Sequence, residues 1–134
     1  MGLDQAMIVA GVGCRRGAPA PDIEAAILGA LARAGIAAAA LDCIATISGK
    51  AGEPGIQSAA AKLGIPAVVV AEAELKAAGS RTKTRSRRVL VLTGVPSVAE
   101  AAALAAAGPS ARLISPRLIV GAATCALAAS GARP

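Results

Sequence analysis

The stretch with the most chemistry per residue is Gly11-Val-Gly13-Cys14-Arg15-Arg16-Gly17, which follows an apolar run and precedes a helical pattern. Glycines in that context offer backbone N–H groups close to a helix N-terminus, and Arg15 and Arg16 add two guanidinium forks suited to carboxylates or phosphates. A tight turn carrying two solvated arginines is the plainer alternative. The stretch is not a dinucleotide fingerprint: it has one residue too many before the last glycine, and Asp42 lies at the start of the second strand, not at its end. Nor does it contain the Gly-Lys-Ser/Thr of a phosphate-binding P-loop. Cys14 sits between glycine and arginine, a setting expected to lower a thiol pKa and favour thiolate. The chain has no histidine, so histidine-dependent acid–base chemistry is excluded and Cys14 has no imidazole partner.

A second polar stretch, Thr46-Ile-Ser48-Gly49-Lys50-Ala-Gly52-Glu53-Pro54-Gly55, leaves the second predicted strand. In a parallel sheet it emerges on the same edge as the first, where such folds bind ligands. Lys50 contributes a cation. Glu53 is either a general acid or base, or a favourable charge at the N-terminus of the next helix. Further along, the Thr93-Gly94-Val-Pro96-Ser97 turn could line a pocket with its hydroxyl and N–H groups, and Arg117 is a candidate further cation. Cys43 and Cys125 lie in apolar strands and read as core. Three cysteines without metal-type spacing make no zinc site, and no cofactor is expected.

These residues need a scaffold, and the apolar pattern supplies one. Ala6–Ala10 reads as a buried strand, and Ile23, Ala26, Ile27, Ala30 and Leu31 recur at helical spacing until Gly35. Cys43–Ile47 is a second strand, 56–63 a helix stopped at Gly64, Ala67–Ala71 a third strand, and Glu72–Ala78 one or two helical turns. A βαβαβ first half with short connections favours parallel strands and right-handed crossovers. The segment Ser86–Leu92 has strand composition but a helix-capping serine. Ser97–Ala107 is a helix with Ser97 and Glu100 in capping-box positions. The apolar segments near Leu113 and Ala122–Ala128 are expected to pair as a hairpin at the sheet edge, giving an α/β domain of about five strands over residues 1–134.

Bulk composition agrees. Of 134 residues 55% are hydrophobic and 16% charged, enough to bury one core. Without a single Phe, Tyr or Trp, that core must be aliphatic. The longest uncharged apolar run, Leu118–Ala129, is shorter than the roughly 20 residues of a membrane helix, and Met1–Ala10 carries Asp4 and no basic leader, so a cytoplasmic protein with reduced thiols is expected. The net charge of +6 owes five of its 14 basic residues to Arg81–Arg88. That run could grip nucleic acid, but no aromatic side chain can stack a base, and a solvated loop is the better reading.

Taken together, Gly11–Gly17, Thr46–Gly55 and Gly94-Val-Pro-Ser97-Val-Ala-Glu100-Ala-Ala-Ala103 resemble the CobE/CbiG C-terminal domain family of cobalamin biosynthesis, in order and over about Met7–Ala128. The resemblance implies a three-layer α/β/α fold with a mixed, mostly parallel sheet. It implies a place in corrin-ring synthesis: a similar domain closes a longer protein that opens a lactone ring of a cobalt-precorrin intermediate. The family motifs fall on Gly11, Gly13, Cys14, Arg15, Arg16 and Gly17, on Thr46, Lys50, Glu53 and Gly55, and on Gly94, Ser97 and Glu100. The chain departs from the family pattern at Ala18-Pro19, where hydroxyl residues are usual, and at Pro116-Arg117, where Pro-Lys and a polar loop are usual. An anionic precorrin intermediate is the implied ligand, with Arg15, Arg16, Lys50 and Arg117 converging on its carboxylates. Three roles stay open: an enzyme of hydrolase type assisting ring contraction or lactone opening, with Glu53 and Cys14 as its catalytic groups; a non-catalytic carrier; and a subunit completing another enzyme of the pathway.

Overall fold

Strand β1 (Ile8–Cys14) leads into helix α1 (Ala20–Ala34), then β2 (Cys43–Ile47), α2 (Pro54–Leu63), β3 (Ala67–Val70), α3 (Glu72–Ala78), α4 (Val98–Ala107), β4 (Arg112–Val120) and β5 (Ala123–Ala129). The computed structural model describes residues 7–50, 52–82 and 97–130. Gly94, the Ser86–Leu92 segment and all of the basic run beyond Thr82 fall outside those residues.

The strands form one sheet in the order β3-β2-β1-β5-β4. β1–β2 and β2–β3 pair in parallel, while β5 runs antiparallel to both β1 and β4. Four of the five strands therefore point the same way, and the closing hairpin inserts its second strand beside β1. Helices α1 and α2 pack on one face through Ile23, Ile27, Leu31 and Ile56 against Val12, Ile44 and Leu127. On the other face α3 and α4 cover Val9, Ala45 and Ala128. The sheet is thus the middle of three layers. Each fully buried Ile or Leu contributes about 1.5–3 kcal/mol.

Helix ends follow the sequence signals. Pro21 and Pro54 sit in the first turns of α1 and α2, where a missing N–H costs nothing. Gly35 and Gly64 end those helices in the left-handed conformation at φ 71°. Ser97 Oγ accepts from Glu100 N–H at 3.4 Å, the expected cap of α4. That helix is buried at seven of its ten positions and has alanine at seven, which lets it approach the sheet closely at Gly11.

Most boundaries shift by one or two residues from the sequence reading, and the end of β1 shifts most. β1 does not stop at Ala10 but continues through Gly11 and Gly13 to Cys14, because β5 pairs it residue for residue up to Cys14 opposite Ala123. Gly11 and Gly13 are strand residues that allow close approach, not a loop. A Cβ on Gly11 would lie 1.9 Å from the Ala99 carbonyl oxygen of α4.

Candidate functional site

The parallel strands β1 and β2 end on the same edge, and the turns that follow them are tied together there. Gly17, at φ 73°, donates its N–H to Glu53 Oε1 at 2.8 Å. Beside this latch is a cleft of about 470 Å³, at the carboxyl ends of β1 and β2 and next to the reversal of strand order, where open α/β sheets bind ligands.

Its rim carries three cations from three separate elements: Arg15 after β1, Lys50 after β2, and Arg117 on β4. None of the residues lining it is acidic. The walls are Gly13 and Cys14, Ile47, Val98 and Ala99 at the start of α4, and the hairpin residues Ile119, Gly121, Ala122, Ala123 and Thr124. The interior is therefore largely aliphatic, with positive charge at the mouth and the N-terminus of α4 facing it, a combination suited to an apolar body bearing carboxylates.

The hairpin is held in register with the first turn. Ala122 accepts from Arg15 N–H at 2.9 Å and donates its own N–H to Asp22 Oδ2, on α1, at 3.0 Å. Thr124 Oγ1 donates to the Gly13 carbonyl at 3.2 Å. In β4, six residues from Leu113 to Leu118 oppose only four of β5, Ala128 to Cys125, so the strand is bulged around Pro116-Arg117. Glu100, fully buried in α4, accepts from Arg117 N–H at 2.8 Å.

The residues singled out in the sequence divide into those that line the cleft, those that build it, and Arg16, which does neither. Cys14, Arg15, Lys50, Arg117 and Gly13 line the cleft. The others build it: Gly11 and Gly55 are contact points, since a Cβ on Gly55 would lie 2.4 Å from the Ala18 carbonyl oxygen, and Thr46 is buried with its hydroxyl on the Val12 carbonyl at 3.3 Å. Ser97 is spent on its cap, and Glu53 on Gly17. Arg16 is exposed and absent from the cleft wall.

One expectation needs correction. Cys14 is not activated: half-burial pushes its thiol above the ordinary 9.0, Lys50 lowers it by less, and Glu53 raises it further. The segment after Pro116, where the family usually has a polar loop, belongs to β4, and the strand brings Arg117 and Ile119 to the cleft. Ile119 is 60% exposed, two residues from Arg117, and the strand period of two was the signal that pairs them. Ile47, Val98 and Ala122 carried no such signal, because aliphatic residues read as core. Among the described residues no three Cys, Asp or Glu side chains gather as a metal site would need.

The fold and this cleft define the class: an open three-layer α/β domain with a cleft at its strand ends, lined by Arg15, Lys50 and Arg117. A family model described as "Cobalamin synthesis G C-terminus" matches residues 8–128. Protein CobE of Sinorhizobium sp is 41% identical over 121 residues, covering 90% of this chain and 79% of that protein. The crystal structure of a CobE from the cobalamin (vitamin B12) biosynthetic pathway superposes with TM-score 0.86 at 38% identity, over 92% of this chain and 90% of that one. Cobalamin biosynthesis protein chiG of Agrobacterium tumefaciens superposes with TM-score 0.72 at 45% identity, over 91% and 97%. The chain belongs to the CobE/CbiG C-terminal family of cobalamin biosynthesis proteins. The same fold recurs in a putative cobalamin biosynthesis protein G homolog of Sulfolobus solfataricus, where the match spans 93% of this chain but 37% of that one, at TM-score 0.67 and 21% identity.

Proposed function

We propose that this protein binds an anionic precorrin-type intermediate of corrin-ring synthesis in the cleft and holds it for transfer between enzymes. The observation that carries the reading is the convergence of Arg15, Lys50 and Arg117, from three elements, around an aliphatic interior. A precorrin presents acetate and propionate groups around an apolar macrocycle, the same arrangement in complement. Each charge-assisted hydrogen bond contributes on the order of 1.5–3 kcal/mol. At about 470 Å³ the cleft is in the lower half of the range for drug-sized ligands, so one edge of the macrocycle enters it and the rest stays at the mouth.

Holding is favoured over hydrolysis by the state of the two candidate catalytic groups. Glu53 Oε1 is engaged by the Gly17 N–H, and the Cys14 thiol is raised above its ordinary pKa, which disfavours thiolate attack near neutral pH.

The test is an absorbance titration with late precorrin intermediates. Wild type is expected to bind stoichiometrically, and Arg15→Ala, Lys50→Ala and Arg117→Ala each to weaken binding roughly tenfold or more. Neutralising Lys83, Arg85, Arg87 and Arg88 should leave affinity nearly unchanged. No binding by wild type would sink this reading and bring forward the role of a subunit completing another pathway enzyme. A spectral change following binding would instead reinstate catalysis.

A further inference from the structure

The peptide group joining Pro116 to Arg117 is gripped at both of its ends by charged side chains from opposite faces of the sheet. Its N–H donates to Glu100 Oε2, from α4. Its carbonyl accepts from the Arg33 guanidinium, from the last turn of α1. The same guanidinium forks onto Ser115 Oγ at 2.7 and 3.1 Å, and that hydroxyl lies 3.4 Å from the Pro116 carbonyl oxygen. The peptide sits in the bulge, where the ladder with β5 is interrupted, so neighbouring strands do not set its orientation. Pro116 has no N–H with which to restore the ladder.

We infer that Arg33 is a positioning residue which, opposite Glu100, fixes the plane of the Pro116–Arg117 peptide and so aims the Arg117 guanidinium into the cleft. The plane of a peptide determines where the next Cα–Cβ bond points, because the unit is rigid and only φ remains free on that side. An arginine in the last turn of a helix would serve the helix dipole equally well in solvent. Here, though exposed, it reaches across to two atoms of one bulge, Ser115 Oγ and the Pro116 carbonyl oxygen, through three hydrogen bonds. Neither Arg33 nor Ser115 touches the cleft, so their effect on a ligand passes through Arg117. This rests on the reading that the cleft takes a polycarboxylate, but its structural half stands without a ligand.

Two measurements separate the parts. The first needs no ligand: 15N relaxation of the Arg117 Nε–H group in wild type and Arg33→Ala. The order of that group is expected to fall in the variant while the Cys14 backbone amide keeps its own. An unchanged Arg117 side chain would overturn the inference. The second is a double-mutant cycle in precorrin affinity. Arg33→Ala should cost roughly as much as Arg117→Ala, about tenfold, and less than about twofold more when Arg117 is already alanine. Equal losses in both backgrounds would mean that Arg33 acts by general charge or stability, which also overturns it. Failure of wild type to bind, with the relaxation change present, refutes the binding reading and leaves the positioning of Arg117 upheld. If Arg33→Ala does not fold, Ser115→Ala removes only the hydroxyl that the fork holds, and the same loss of Arg117 order is expected at smaller size.

Discussion

Cys14 is the side chain on which binding and catalysis part company. It lies in the cleft wall with Lys50, yet desolvation outweighs the attraction of that cation for a thiolate, and Glu53 adds a like-charge penalty. The thiol is therefore neutral at physiological pH and serves as a small apolar surface. Alkylation of Cys14 by iodoacetamide, followed by peptide mass mapping, should be slow at pH 7 and reach half its maximal rate above pH 9. Glu53→Gln removes the raising charge and should move that profile to lower pH, whereas Lys50→Ala should move it higher. A half-point near pH 7 in wild type would restore the nucleophile. Glu53 also has a structural part: it immediately precedes α2 and receives the Gly17 N–H from 36 positions earlier.

Among the elements, α4 and β1 depend on each other most tightly. A helix with seven alanines in ten residues can lie against a strand only as closely as the strand's own side chains allow, and Gly11 removes the obstacle. An added methyl there would meet backbone, the Ala99 carbonyl oxygen at 1.9 Å and the Ala103 nitrogen at 2.7 Å, which have no rotamer with which to yield. Gly11→Ala should therefore destabilise by about 1–3 kcal/mol or more, read from the urea midpoint, while Gly49→Ala, with open space around it, should stay within about 0.5 kcal/mol. Equal midpoints would show that α4 is not seated on the strand. The same close seating sets the site, since α4 supplies Val98 and Ala99 to the cleft and Glu100 to the bulge. At its other end, Arg81 donates to the Pro109 and Ala111 carbonyls at 3.3 and 3.1 Å. That member of the basic run thus holds the chain just past the end of α4.

For the molecule as a whole, three aliphatic layers without aromatics leave the thiols as the most polarisable part of the core, and they impose an alkaline limit. Burial pushes Cys125 up to about 12, and Cys43 is raised by burial and by Asp42. Between the ordinary thiol value of 9.0 and the folded value, the unfolded chain releases a proton that the folded chain keeps, so stability is full below pH 9 and falls as pH rises through that window. The slope for Cys125 is roughly 1.4 kcal/mol per pH unit at its steepest. Urea midpoints at pH 8 and 10.5 should show this decline, and Cys125→Ala should flatten it. An identical slope in the variant would place the limit elsewhere.

Local chemistry carried much of this architecture into the sequence. Helical spacing at Ile23, Ile27 and Leu31, stops at Gly35 and Gly64, and the Ser97 cap each depend on neighbours within about one turn, so α1, α2 and α4 were legible residue by residue. The short connections made a parallel first half legible too, and with it the meeting of the first two turns on one edge. What tertiary structure decided were contacts between residues far apart in the chain. Glycines at 11 and 13 read as a loop until β5 arrives to pair with them; Glu53 read as either an acid–base group or a charge at the start of α2, and only the fold brings the Gly17 N–H to it. Arg16 and Arg15 were equivalent in sequence, and only the Ala122 contact turns one into the cleft wall. Arg33 offered no signal, because its partner peptide is 83 positions away and is brought within reach only by the order β3-β2-β1-β5-β4. Spacing encodes which face of an element is apolar; it does not encode which strand that element will lie beside.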